Sequence, residues 1–273
     1  MTTPVPSASA EPAPAPSPIP LSILIRTHNE ADRIAETIRA ASALGGEIVV
    51  IDSGSTDATV ALAEAEGARV IYNGWKGFGP QRYFGEDQCS HDMIFGLDAD
   101  EITPPAFVSE IRRLFQQPST PRLMIVKKAF VLPYWKKPPL LPFSAVQIYI
   151  YDRRIARTNP NPNWDKLDIT GDGGKPYKVR AHVWHFSLRD WNHGVAKANY
   201  VAKLAANTMR PRSGAVLLLR LWVEPPLSFF RYYILRRYFL AGADGFSMAM
   251  ISAFGRWLRI AMMLERVKYG PKP

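Results

Sequence analysis

Short apolar runs alternate along the chain with stretches whose apolar residues recur every three or four positions. The runs are Leu21–Arg26, Glu47–Asp52, Arg69–Tyr72 and Met93–Asp98. Between and after them, Asn29–Ala43 sets Ile34, Ile38 and Ala41 on one helical face. Asp57–Glu66 and Gln81–Cys89 keep helical spacing, and Pro105–Phe115 gathers Val108, Ile111, Leu114 and Phe115. Strands alternating with helices at these lengths predict βαβ units, hence an α/β fold with a mainly parallel sheet and flanking helices. Beyond Leu123 the rhythm loosens. Strands are expected over Leu123–Leu132 and Val146–Tyr151, a polar loop over Asn159–Gly174 and a short run over His182–Ser187. After Asp190 the chain turns helical, aromatic and basic. These shifts divide it into a Pro- and Ala-rich tail expected to be disordered (1–20), an α/β domain (21–190) and an amphipathic helical region (191–273).

Charge changes the picture mainly at the far end. The net charge is +10, and after position 209 eleven basic residues face only three acids. Those arginines are interleaved with aromatic and aliphatic residues, as in Phe229–Phe239 and Phe254–Arg266. The longest uncharged stretch there, Gly245–Gly255, falls well short of the roughly 18 residues a spanning helix needs, so helices lying on an anionic membrane surface are expected. No recognised nucleic-acid module accompanies the charge, and nucleic acid is not expected as a partner. The first twenty residues lack a basic start and a continuous apolar stretch, so they are not read as a secretory signal. A single cysteine, Cys89, excludes an internal disulfide framework and any cysteine-based metal cluster.

Polar residues collect just past three of the apolar runs: Thr27-His28-Asn29-Glu30, Asp52-Ser53-Gly54-Ser55 and Asp98-Ala99-Asp100-Glu101. In a doubly wound sheet these are the carboxyl ends of strands, where ligands bind. Asp98 and Asp100, two residues apart at a strand end, suit a hard divalent cation such as Mg²⁺ or Mn²⁺. Asp52 ends a buried run and can accept hydrogen bonds from a ribose or base, while Asp57 is placed to cap the next helix. Neither G-x-G-x-x-G nor a Walker sequence is present, so nucleotide phosphates would be neutralised by metal and basic side chains.

In order and spacing, L-S-I-L-I-R-T-H-N-E, E-I-V-V-I-D-S-G-S-T-D, W-K-G-F-G-P-Q-R-Y-F and L-D-A-D-E resemble glycosyltransferase family 2. With Y-D-R-R, H-F-S-L-R-D and the aromatic basic end, the chain resembles more narrowly the lipopolysaccharide-core glucosyltransferases that add β-glucose to heptose, from Leu21 to about Glu265. The resemblance implies a GT-A fold and an inverting transfer from a UDP-sugar to a glycolipid or oligosaccharide acceptor, at the inner face of the cytoplasmic membrane. It implies that Thr27, Asn29, Glu30 and Asp52 line the nucleotide pocket, that Arg82 contacts the nucleotide, that Asp98 and Ala99 lie by the ribose, and that Asp100 holds the metal. One departure stands out: the subfamily's V-H-E-type triplet before Lys-Leu reads Asn163-Trp164-Asp165 here. Asp165 is the candidate general base, with Asp168 and Asp172 as nearby rivals. His185 is a candidate for the metal or diphosphate, whereas His182 is read as a buried structural histidine. Arg153 and Arg154 are candidate contacts for an anionic acceptor, Trp75 and Trp135 for a sugar or lipid, and Cys89 is read as packing. Two other functions compete: transfer to a polyprenyl phosphate, and a non-catalytic membrane scaffold on the same fold.

Overall fold

The computed structural model describes residues 16–139, 141–142, 144–208 and 213–270. Its strands are β1 (Ser22–Thr27), β2 (Glu47–Asp52), β3 (Arg69–Tyr72), β4 (Met93–Asp98), β5 (Glu101–Ile102), β6 (Leu123–Phe130), β7 (Ser144–Asp152), β8 (Ala156–Thr158), β9 (Leu167–Ile169) and β10 (Tyr177–His185). The helices are α1 (Ile34–Ser42), α2 (Thr59–Ala65), α3 (Phe78–Gln88), α4 (Pro105–Phe115), α5 (Trp191–Thr208), α6 (Gly214–Phe230) and α7 (Gly242–Tyr269). A π-helical turn, Arg231–Leu235, and a 3₁₀ turn, Tyr238–Ala241, join α6 to α7.

The chain forms two compact units, each assembled from separate segments. The first takes residues up to Ala99, Pro105–Met124 and Ile148–Lys178. Its sheet runs β3-β2-β1-β4-β7, with β3, β2, β1 and β4 parallel and β7 antiparallel to β4. Apolar residues on both faces of β1, β2 and β4 are buried, as strands covered by helices require. Leu24, Val49, Ile51, Ile94 and Tyr151 form its core with Leu123, Ile155 and Ala156. Buried Glu86 on α3 fixes the outlying strands by accepting the Tyr151 hydroxyl (2.7 Å), the Thr158 amide (3.0 Å) and Arg157 Nε (2.9 Å).

The second unit takes Asp100–Pro104, Ile125–Gln147 and the chain from Val179 onward. Here β10 pairs antiparallel with β5, Trp184 opposite Ile102 and His185 opposite Glu101. Helix α7 packs along α5 and α6. Small residues allow the close approach: a Cβ on Gly255 would lie 3.2 Å from that of Ala198. Ala206, Leu217, Ile260 and Met263 make one small core, and Tyr238 and Ala249 another with Phe130, Phe229, Tyr232, Tyr233 and Met248 around them. No helix among the described residues is long and apolar enough to cross a membrane.

Several boundaries differ from expectation. Residues 1–15 of the tail lie outside the described residues, but order begins before Leu21: Ile19 donates its amide to Gly45 O (2.9 Å), and Arg112 Nη1 donates to Ser17 O (3.1 Å). Helix α1 starts at Ile34 rather than Asn29, because Asn29 holds φ +53°, outside the helical region. Helix α3 starts three residues early, at Phe78. Gly79 there reflects crowding, since a Cβ would lie 2.2 Å from Asn159 O. The loop expected over Asn159–Gly174 contains β9, which pairs with β8.

Candidate active site

In the first unit the polar strand ends are laced to one another. Asp52 Oδ2 accepts the amides of Gly54 (2.8 Å) and Ser55 (2.9 Å), and its Oδ1 accepts the Ser55 hydroxyl (2.5 Å). Gly54 holds φ +101°, which explains the glycine in this turn. Asn29 donates its amide to Ser55 Oγ (2.9 Å) and accepts the Thr56 amide on Oδ1 (2.8 Å). Glu30 donates its amide to Thr59 Oγ1 (2.8 Å), and its carboxylate meets Arg33 Nε at 3.1 Å. Asp57 takes the Thr59 amide (3.0 Å) at the start of α2, and hydrogen bonds led by the Thr59 hydroxyl hold its carboxyl below the usual range. Gln81 Nε2 donates to Ser53 Oγ and Asn73 O, each at 3.0 Å. Thr27 Oγ1 is buried and has no hydrogen-bond partner among the described residues. Such a hydroxyl costs free energy until something meets it, which fits a ligand-lining position.

At the end of β4 two acids share two arginines. Arg26 Nη2 lies 2.6 Å from Asp98 Oδ1 and 3.0 Å from Asp165 Oδ2; Arg82 Nη2 lies 3.2 Å from each. Arg82 is only 2% exposed. Burial works against its charge, but the carboxylates of Asp165 and Asp98 outweigh that and hold its pKa above the usual value. A Cβ on Gly96 would fall 2.0 Å from Arg82 Nη1, so the guanidinium fills the space this glycine leaves. Ala99 is buried and accepts the Thr37 hydroxyl on its carbonyl (2.7 Å).

The second unit holds the other aspartate. Asp100 Oδ2 lies 3.2 Å from His185 Nε2, and the Phe186 amide donates to Asp100 O (2.9 Å). Asp100, Glu101 and His185 offer ligand atoms all within 4.8 Å of one another. The β5–β10 register brings them together by setting His185 opposite Glu101. Buried Lys128 pairs with buried Glu101. Burial opposes the imidazolium, yet the hydrogen bond and charge of Asp100 outweigh it and move the His185 pKa upward. His185 Nδ1 is buried without a hydrogen-bond partner among the described residues. Two carboxylates and an imidazole fit Mg²⁺ or Mn²⁺.

The remaining candidates are engaged elsewhere. Asp168 accepts Asn159 Nδ2 (2.8 Å) and Asp172 the Gly174 amide (2.9 Å), both closing local turns. Arg153 donates to Glu86 O (2.7 Å) and Cys89 O (3.0 Å), and Arg154 to Asp152 (2.8 Å), so this pair ties the first unit together rather than presenting free cations. Burial pushes the Cys89 thiol up to about 12, as expected for a packing residue. Burial lowers the His182 pKa. Trp135 donates to Asp244 Oδ2 (2.8 Å), and Trp75 stands edge-on to Phe78. Sequence reasoning did not single out Arg26, Gln81, Glu101 or Lys128. An arginine inside the otherwise buried S-I-L-I-R-T strand was the available signal for the first of these.

A glycosyl transferase family 2 model matches residues 22–169. An uncharacterized glycosyltransferase of Rickettsia felis is 33% identical over 253 residues, covering 89% of each chain. The lipopolysaccharide core biosynthesis glycosyltransferase LpsC of Rhizobium meliloti is 26% identical over 242 residues, 83% of this chain and 86% of that one. Among solved structures, glucosyl-3-phosphoglycerate synthase from Mycobacterium tuberculosis, crystallised with Mn²⁺, UDP and glucosyl-3-phosphoglycerate, is 28% identical. That match covers 41% of this chain and 44% of the synthase, with a TM-score of 0.34.

Proposed function

The chain belongs to glycosyltransferase family 2, and from that premise we propose an inverting hexosyl transfer from a UDP-sugar to a lipopolysaccharide-core or related cell-envelope glycan. The mainly parallel sheet with flanking helices is the GT-A arrangement the resemblance implied. The observation that carries the proposal is the Asp100–Glu101–His185 cluster, which begins two residues after Asp98 at the end of β4. Likeness to LpsC along most of the chain supports the acceptor class.

In this reading Thr27, Asn29, Glu30 and Asp52 shape the nucleotide pocket, with the Thr27 hydroxyl as a donor in waiting. Asp98 and Ala99 serve the ribose, and Arg82 orients Asp98 and Asp165. Asp100 and His185 hold the divalent ion, which when bound supplies positive charge against the departing diphosphate. Asp165 takes the proton from the acceptor hydroxyl as that oxygen attacks the anomeric carbon and the UDP bond breaks. Asp165 is held against two guanidiniums, and its contribution is set near 10²-fold, the low end of the general-base range.

We place the protein peripherally on the inner face of the cytoplasmic membrane. Support comes from α6, whose Leu218, Leu219, Trp222, Val223, Leu227 and Phe230 are all exposed. Not every arginine of the basic end is available for lipid. Arg266 Nη1 donates to Ala206 O (2.9 Å) and Asn207 O (3.0 Å), capping α5. Arg210, Arg212 and Lys272 lie outside the described residues.

Thermal shift with UDP-, GDP- and CMP-sugars, with and without Mn²⁺, tests the donor, because a ligand of the native state raises stability by about 2.7 kcal/mol at a hundred times its Kd. A rise confined to UDP-sugar with Mn²⁺ is expected. Product analysis with heptosyl lipid A-core against undecaprenyl phosphate then tests the acceptor, and sugar found only on the polyprenyl phosphate overturns the glycan reading.

A further inference from the structure

The second unit contains a cavity of about 380 Å³, a volume within the range of small-ligand sites. Its basic lining comes from three places: Lys127 of β6, His182 of β10, and the consecutive Arg236 and Arg237 of the turn joining α6 to α7. No carboxylate lines it among the described residues. Arg237 holds φ +60°, a left-handed conformation uncommon away from glycine and one that collects at ligand sites. The chain leaves its helical path there, and both arginines line the one cavity. The Arg236 guanidinium lies 4.9 Å from the centre of the Tyr232 ring, a contact that fixes the side chain without neutralising it. Burial, with the charge of Lys127 next, lowers the His182 pKa, so positive charge gathers here against resistance.

Position separates this cavity from the candidate metal ligands. Lys127 is followed by Lys128, which pairs with Glu101, and His182 precedes His185 by three positions. Successive side chains of a strand point to opposite faces, so the cavity lies on the face of β6 and β10 away from Glu101 and His185. Apolar surface borders it. On its wall Leu141 is 48% exposed and Leu235 67% exposed. Leu235 follows Phe230 and Ile234, which are also exposed, so the apolar surface of α6 continues along the chain to the cavity wall.

We propose that this cavity binds the phosphate of a membrane phospholipid whose headgroup carries no ammonium, with Lys127, Arg236 and Arg237 on the phosphate and Leu141 and Leu235 in the acyl region beside it. This deepens the membrane reading and rests on it for the bilayer; the lipid is an anchor and not the acceptor. Guanidinium forks can hold two phosphate oxygens at once, and a lysine adds a point charge. A headgroup ammonium, as in phosphatidylserine, would enter a basic cavity with no acid to meet it, and that unpaired charge is what discriminates.

The test is flotation of the full-length protein with phosphatidylcholine vesicles containing either phosphatidylglycerol or phosphatidylserine at the same molar fraction, so that surface charge is matched. The protein is expected to bind the phosphatidylglycerol vesicles about tenfold more tightly, the size of one hydrogen-bonded charge interaction. Lys127→Gln and Arg237→Gln are each expected to bring that ratio below about threefold. A loss of general attraction to the surface lowers binding to both vesicles and leaves the ratio alone. Lys178→Gln, the same charge change at an exposed position of the first unit, is therefore expected to keep the ratio of the parent. Unchanged melting temperatures show that the variants fold. Four results overturn the headgroup site and leave the membrane reading standing: equal binding of the parent to the two vesicles, a parent-like ratio in either folded variant, an equal fall in Lys178→Gln, or micromolar binding of glycerol 3-phosphate in isothermal titration. Binding to neither vesicle overturns the membrane reading itself, and this site with it.

Discussion

In the first unit Leu24, Ile51, Ile94 and Tyr151 are sealed against one another. Along α6 of the second, Leu219 is 66% and Trp222 77% exposed. The same kinds of residue meet opposite surroundings within one chain. Strands β1, β2 and β4 are apolar because helices and neighbouring strands cover them. Among the described residues nothing covers this face of α6, which is why a membrane contact is proposed for it. Polar residues divide in a parallel way. In the first unit most of them satisfy one another in closed loops, as Asp52 does with Gly54 and Ser55, and the Thr27 hydroxyl is the exception already described. The second unit gathers Arg220 and Arg256 around Glu224 and, among the described residues, leaves one ring nitrogen of His185 unmet. One unit is largely explained by its own contacts, and the other by what it would hold.

The comparison breaks most sharply at Asp100. Asp100→Asn is expected to lower sugar transfer by about 10³-fold, the size of losing one preorganised charge interaction, while leaving the melting temperature nearly unchanged. Retained transfer in EDTA would remove the metal from this unit. Asp165→Asn probes the first unit, where internal satisfaction predicts two effects together. Transfer should fall by about 10²-fold in kcat. Stability should also fall, because Arg82 would keep only Asp98 of the two acids that now pair with it. A stability loss with kcat within threefold of the parent would make Asp165 a purely structural partner of Arg26 and Arg82.

Trp222→Ser with Leu219→Ser tests the exposed face directly. Flotation with anionic vesicles should weaken by about tenfold or more, since burying one such side chain contributes about 1.5–3 kcal/mol. Stability should change by less than about 0.5 kcal/mol, as for other surface positions. The smallest effect belongs to Glu47. Burial opposes its charge, but hydrogen bonds from Arg69, Ser22 and Ser90 bring its carboxyl down to about 2. A carboxyl depressed on folding stabilises fully above its ordinary value of 4.5 and loses that contribution as pH falls toward 2. Glu47→Gln should therefore flatten the acid limb of a stability-against-pH curve in that window, by at most about 1 kcal/mol for a pair open to solvent.

Elements whose pattern is local were legible in the chain itself: β2, β3, β4 and α4 span the residues expected of them. Elements defined by partners far away were not. Two-residue β5 has no periodicity to detect and exists through pairing with β10, more than eighty residues later. The same holds for the site. Asp98 and Asp100 stood out by spacing, but their separation into an arginine-bound acid and a histidine-bound acid depends on long-range contacts to Arg26, Arg82 and His185. Lys128, which neutralises Glu101, looked like any other strand lysine.

The glycine at position 96 sets a direction on how this protein can change over generations. Because the Arg82 guanidinium lies where a methyl group at 96 would go, a substitution at 96 forces that guanidinium to move while Arg82 is present. Losing Arg82 first leaves no collision, at the cost of the guanidinium that Asp98 and Asp165 share. Lineages descending from this sequence therefore meet the collision in one order of exchange and the loss of the shared guanidinium in the other. A relative carrying Ala at the equivalent of 96 should already lack the arginine.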